Sequence, residues 1–322
     1  MTELFEFALI AVAFGFAFSI GAHYTGACMG MPYAARAIRL VPALLVMAPL
    51  ALAGAVLASE RVETTVGHGI LGGGTILIPM ALAIVGSAFA LTLVYNFVRL
   101  PTSTIQIFVF SVIGAGVALG FPVLWGTIGV LLLLWATAPF AAFALGYVTL
   151  RIWDSRRASG SAPASLGRWA GFGLVTVGAV ASFAMGANDV SNASGSLVMT
   201  GLFSLLVAGA IGGLGLALGV LTWGRPLLDR VAFDIVKLDT RMATAAQFAQ
   251  AAVILASVGF GYFTSMNQAL VGALIGVGVA RRQGKTQWKT IREIMVGWAL
   301  GPVSGFTLAF VVAWGFRTVG WI

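Results

Sequence analysis

Charge is what this sequence has least of. Asp, Glu, Lys and Arg supply 9% of its residues, while hydrophobic types supply 60%. With a mean hydropathy of +1.01, the chain cannot stay soluble, and 322 residues are far more than an anchor needs. Cysteine is almost missing. Cys28 stands alone, so an intramolecular disulfide and a cysteine metal cluster are both excluded. Histidine occurs only at His23 and His68, which form no metal-ligand pattern and no nucleophile–base pair, so a membrane enzyme is not expected. The alternation over about ten residues that marks barrel strands is absent. Glu3 and Glu6 occupy the place of a basic n-region, so the first apolar run reads as a retained helix rather than a signal peptide.

What is present is a series of apolar runs, each of about 20 residues and so long enough to cross ~30 Å of hydrocarbon. They predict an all-α polytopic membrane protein with spans at 5–20, 40–58, 77–97 and 123–150 in a first half. The second half has them at 169–185, 197–223, 242–262, 269–280 and 294–316. A shorter apolar segment runs from Thr102 to Gly120. The expected organisation is a first transmembrane repeat over 1–150, a Ser/Gly/Pro-rich linker over 151–168 and a second repeat over 169–322. Glu60, Arg61, Glu63 and His68 read as a polar surface segment. Residues 225–241 read as an amphipathic helix lying at the headgroups.

The chain is organised around Gly186-Ala187-Asn188-Asp189-Val190-Ser191-Asn192-Ala193-Ser194-Gly195-Ser196. Asp189 reads as the only carboxylate at membrane depth, where a charge costs at least ~2.5–3.5 kcal/mol and is a functional hypothesis by default. The blander alternative is a polar contact between helices. An interrupted helix is expected here, and equally at Gly21–Pro32, whose small and polar run does not suit an ordinary helix interior. The two stretches align: Phe18-Ser19-Ile20-Gly21-Ala22-His23-Tyr24 falls on Phe183-Ala184-Met185-Gly186-Ala187-Asn188-Asp189. Thr102-Ser103-Thr104-Ile105-Gln106 falls likewise on Thr264-Ser265-Met266-Asn267-Gln268. Two motifs in one order point to duplication. An odd number of segments per half, about five, makes the repeats inverted, with interrupted or re-entrant helices, those after Thr102 and Thr264 among them, meeting at a site near mid-membrane.

A cytoplasmic central linker places all but Arg61 and Arg317 of the 18 Lys and Arg on the inside. Both termini then lie on the opposite side. The net charge of +8 thereby reflects orientation and anionic lipid, with no nucleic-acid partner needed.

Thr102, Ser103 and Thr104, with Thr264 and Ser265, stand at helix starts, where free N–H groups and the helix dipole favour an anion. Plain N-capping is the alternative. Asn188, Asp189, Ser191 and Asn192 offer acceptor oxygens that suit Na⁺ or a carried proton. Cation and anion in one pocket would raise each other's affinity. An anion channel could use the same hydroxyls but has no need of Asp189.

The motif Gly-Ala-Asn-Asp-Val-Ser-Asn-Ala at 186–193 resembles the signature of the inorganic phosphate transporter (PiT) family, and Pro101-Thr102-Ser103-Thr104 resembles its second motif. In that family the signature occurs in both halves of an inverted repeat. Here His23-Tyr24 replaces the first Asn-Asp pair, as in the sulfate-permease branch. Sulfate only accepts hydrogen bonds, whereas phosphate at neutral pH also donates one, so loss of a carboxylate favours sulfate. The resemblance implies a sulfate importer driven by H⁺ or Na⁺, with no resident cofactor. A Na⁺/phosphate symporter is the nearest alternative. It implies substrate binding by Thr25, Thr102, Ser103, Thr104, Gln106, Thr264, Ser265, Asn267 and Gln268. Coupling-ion binding falls to His23, Asn188, Asp189, Ser191 and Asn192, with Na⁺ at Asn188, Asp189 and Asn192. His23 could carry a proton near neutral pH or be a neutral ring bonded to a carbonyl. The implied setting is a bacterial-type cytoplasmic membrane, with lipids and sulfate or a related oxyanion as partners and a homodimer as a compatible assembly.

Overall fold

A computed structural model describes residues 2–98, 102–158, 166–226, 228, 238–282 and 288–322. Helices α1 (Thr2–His23), α2 (Thr25–Ala34), α3 (Leu40–Leu57), α4 (Glu60–His68), α5 (Ile78–Phe97), α6 (Thr104–Leu119) and α7 (Trp125–Ala158) form the first half. Helices α8 (Leu166–Asp189), α9 (Ser191–Met199), α10 (Leu205–Trp223), α11 (Thr240–Gly259), α12 (Met266–Ala280) and α13 (Trp288–Thr318) form the second. The protein is an all-helical, multi-pass membrane protein. Among the described residues, eight helices are long and apolar enough to cross a bilayer, counting α1 with α2 and α8 with α9 as single interrupted spans. Their outer faces present Phe7, Leu133, Phe140 and Val303, which only lipid would accommodate.

Several expectations change. The segments that open at Thr104 and Met266 are short apolar helices. At about 1.5 Å per residue they fall short of ~30 Å. The linker is shorter than 151–168, because α7 continues to Ala158. Residues 151–158 contain neither Gly nor Pro to stop it. Residues 159–165 of the linker, most of the amphipathic piece and Pro101 lie outside the described residues. The run Gly21–Pro32 is helical apart from Tyr24, and Pro32 sits inside α2. The second interruption is just as slight. Val190 keeps helical dihedrals (φ −58, ψ −37), and its N–H still reaches Gly186 O at 3.3 Å. The backbone is kinked rather than unwound, so side chains must carry the chemistry.

The small residues at these kinks serve packing. A Cβ on Gly186 would stand 1.9 Å from Ala51 O, and one on Gly21 would stand 2.1 Å from Leu216 O. Gly54 meets Phe183 O as Gly219 meets Phe18 O. The helix pairs exchange in the same way: α1 crosses α10 as α8 crosses α3, and α6 packs on α13 as α12 packs on α7. Backbone contact through glycine is the membrane solution where apolar area alone gives no drive to associate.

The segment expected at the surface turns inward. In α4, Val62, Glu63, Val66 and Gly67 are buried. Val62 and Val66 share a face at i, i+4 spacing, and Glu63 follows them under α9. Val66 fills the space that a side chain on Gly195 would need.

Candidate functional site

The two kinks and the starts of α6 and α12 meet through side-chain hydrogen bonds. Asn188 is the clearest case. Its Nδ2 donates to Thr264 O at 2.9 Å and to Asp189 Oδ2 at 2.9 Å. Its Oδ1 accepts from Thr264 N at 3.0 Å. The amide thus clamps the backbone just before α12. At the other kink, Tyr24 Oη pairs with Thr104 Oγ1 at 2.9 Å, which also accepts from Asn192 Nδ2 at 3.4 Å. His23 bonds through Nδ1 to Asn96 Oδ1 and through Nε2 to Asn267 Nδ2. Asn267 also donates to Thr102 O at 3.3 Å. Four stretches distant in sequence therefore form one polar centre.

Within the hydroxyl motifs, cap and candidate ligand separate. Ser103 accepts from Gln106 N, and Ser265 accepts from Gln268 N. Both serines are N-caps, as Ser usually is there. The threonines before them differ: Thr102 Oγ1 and Thr264 Oγ1 are buried without a partner. Gln106 Oε1, Gln268 Oε1, Asn192 Oδ1 and Asp189 Oδ1 are in the same condition. Buried polar groups are nearly always paired, so this concentration around two helix starts and the Asp189 kink makes it the candidate ligand-binding centre. Each amide can rotate to present N–H instead of oxygen. Thr25 and Ser191 fall outside it. Thr25 bonds to the carbonyls of Ala22 and Gly224, and Ser191 to Asn188 O.

The centre presents groups of opposite kind. The N-terminal ends of α6 and α12 present donors and a positive dipole end of the sort that suits an anion. Asp189 Oδ1 and Asn192 Oδ1 present acceptors of the sort that suits a cation or proton. Asp189, Asn192, Thr104 and Thr264 have no exposed surface. His23, Asn96 and Asn267 are only half-buried.

Residues 20–170 and 152–309 match the phosphate transporter family. The chain belongs to that family. It is 27% identical over 310 residues to the sulfate permease CysP of Bacillus subtilis (strain 168), covering 95% of this chain and 87% of the relative. To the chloroplastic inorganic phosphate transporter 2-1 of Arabidopsis thaliana it is 35% identical over 153 residues. That match covers 43% of this chain and only 26% of the plant protein. A solved structure described as the sodium-dependent phosphate transporter shares the fold, with a TM-score of 0.87 and 21% identity. The superposition covers 98% of this chain and 100% of that one.

In this family member, sequence reasoning missed contributors at four places. Tyr24 was seen only as a lost carboxylate, yet its hydroxyl joins the centre. Asn96 is the penultimate residue of α5 and bonds to both His23 and Ser19. Gln247 and Gln250 are fully buried in α11. Gln247 donates to Ala27 O and Gln250 to Met266 O, joining α2 to α12. Two amides at i, i+3 in an apolar span were a visible signal. Glu63 is the fourth: Ser194 Oγ donates to its Oε1, so Asp189 is not the only buried carboxylate.

Proposed function

We propose that the protein imports sulfate across a bacterial-type cytoplasmic membrane, coupled to H⁺ or Na⁺, by alternating access between two inverted repeats. The observation that carries this reading is the centre itself. Buried, unpartnered Thr102, Gln106, Thr264 and Gln268 oxygens stand at two helix starts beside Asp189. Helix N-termini attract the dianion, and the hydroxyls and rotated amides donate to its four oxygens. Asp189, Asn192 and His23 are the candidate seats of the coupling ion, and the attraction between the two charges links their binding. Tyr24 in place of a second carboxylate favours sulfate, which has no proton to offer an acceptor. The sulfate permease relative matches along almost the whole chain, which supports the same choice. A Na⁺/phosphate symporter is the second reading, supported by the family description and by the plant relative. Burial of Asp189 inside a closed centre supports a carrier over a channel. The central linker is placed in the cytoplasm by its cations, with both termini opposite.

The test is uptake of labelled sulfate and labelled phosphate into proteoliposomes under separately imposed H⁺ and Na⁺ gradients. Saturable accumulation of sulfate against its gradient supports the reading. Phosphate uptake that outcompetes sulfate overturns the substrate, and passive, non-saturating flux overturns the carrier.

A further inference from the structure

The two kinks are equivalent in the sequence repeat, yet they hold their helix starts by different means. In the second half, Asn188 grips Thr264 by both N–H and C=O, and this grip has no titratable atom. In the first half, the equivalent residue is His23, and the Thr102 carbonyl is held by Asn267 from the other half. Asn267 Nδ2 bonds at the same time to His23 Nε2, at 3.3 Å.

The surrounding amides fix the protonation of the ring. Asn96 Nδ2 donates to Ser19 Oγ at 3.1 Å, which turns Asn96 Oδ1 toward His23 Nδ1 at 2.5 Å. Nδ1 therefore carries the hydrogen. Asn267 Nδ2 must donate to the Thr102 carbonyl, so its second hydrogen points at Nε2, which can only accept. The ring is neutral, with one hydrogen on Nδ1. A proton added to Nε2 sets donor against donor at Asn267, and the Thr102 backbone beside the imidazole offers the new N–H an acceptor.

We propose that His23 Nε2 is the seat of a co-transported proton, whose arrival transfers the Thr102 carbonyl from Asn267 to the imidazole and unties the two halves there. This rests on the transport reading above and identifies its coupling ion. Among the described residues, the titratable groups on the elements around His23 are Tyr24, Cys28, Tyr33, Tyr95 and Asp189. The Tyr24 ring is edge-on at 4.9 Å, and none of the five hydrogen-bonds to the imidazole. The new positive charge thus lacks a carboxylate partner. A dianion at Thr102 and Asn267 would supply the compensating charge, so proton and substrate bind together. Access fits the role: His23, Asn96 and Asn267 are half-buried, while Asp189 is sealed.

The experiment is calorimetry of sulfate binding to the purified full chain, repeated in buffers of different ionisation enthalpy from pH 5.5 to 8.5 to count protons taken up. Wild type should take up close to one proton per sulfate near neutral pH. His23→Gln should take up none. Asn267→Ala, which frees Nε2 from its donor, should move the uptake profile to higher pH, a shift that loss of packing alone would not cause. An unchanged proton count in His23→Gln, or sulfate binding by wild type without proton uptake, overturns the inference and leaves the sulfate reading intact. Failure of wild type to bind sulfate, with phosphate bound instead, overturns that reading.

Discussion

Ser194 donates its hydroxyl hydrogen to Glu63 Oε1 at 2.6 Å, joining the helix after the Asp189 kink to a short helix that lies outside the long spans. Glu63 is 1% exposed, and burial pushes its carboxyl up from 4.5 to about 7, against the pull of hydrogen bonds from Ser194 and Ser59. A folded-state value above the unfolded one stabilises the protein fully below about 4.5. That stabilisation is lost as pH rises through about 7. The shift corresponds to about 3 kcal/mol at the upper limit. Thermal unfolding in detergent should therefore show stability falling between pH 4.5 and 7, and Glu63→Gln should flatten that slope. An equal slope in the variant would assign it to other groups.

The Asn188 clamp predicts a stability defect. Asn188→Ala removes the bonds to Thr264 N, Thr264 O and Asp189 Oδ2 and leaves a buried peptide group unpaired. Each orphaned group costs ~1–3 kcal/mol. A melting temperature in detergent within a degree of wild type would show that water or a neighbour replaces the amide.

Asp189 is expected to behave differently, because the role proposed for it is chemical. In Asp189→Asn the side-chain oxygen can still accept from Asn188 Nδ2, so stability should change by no more than about 1 kcal/mol. Accumulation of sulfate against its gradient should be lost. Normal accumulation by a folded variant would make Asp189 structural.

In the proposed reading, Tyr24 sets the choice of anion. Tyr24→Phe removes the partner of Thr104 Oγ1 and should weaken sulfate binding by ~0.5–1.5 kcal/mol. Tyr24→Asp restores an acceptor for the hydrogen of a protonated oxyanion, and phosphate should then compete better against labelled sulfate than it does in wild type. Competition that is unchanged in both variants would remove Tyr24 from selectivity.

Much of this centre was legible because polar residues in an apolar chain are expensive and therefore conspicuous. Asp189, Asn192, Thr102, Thr264, Gln106 and Gln268 stood out in that way, and each has a buried polar atom without a partner. Ser103 and Ser265 looked the same in sequence but are caps, and only their geometry shows it. Glu63 was hidden by its neighbours. Glu60 and Arg61 are exposed, and a nine-residue helix is too short for periodicity to reveal its inward face. The glycines of the two kinks were read as signs of broken helix because sequence carries no record of which backbone passes within 2 Å of a missing Cβ.

That close passage gives the last prediction. A Cβ at Gly186 would stand 1.9 Å from Ala51 O and 2.7 Å from Ala51 C. Both are backbone atoms that cannot swing aside as a side chain would. Gly186→Ala must therefore part α8 from α3 beside Asn188 and Asp189, at a cost of at least ~1–3 kcal/mol for overpacking. Transport should suffer with stability, since the Asn188 grip on Thr264 is two residues away. Gly129→Ala is the control. It lies in α7 with nothing within 4 Å of the added carbon, so helix propensity alone should make it neutral or stabilising by up to ~1 kcal/mol. Equal melting temperatures for the two variants would mean that the α8–α3 crossing is looser than its backbone contact requires.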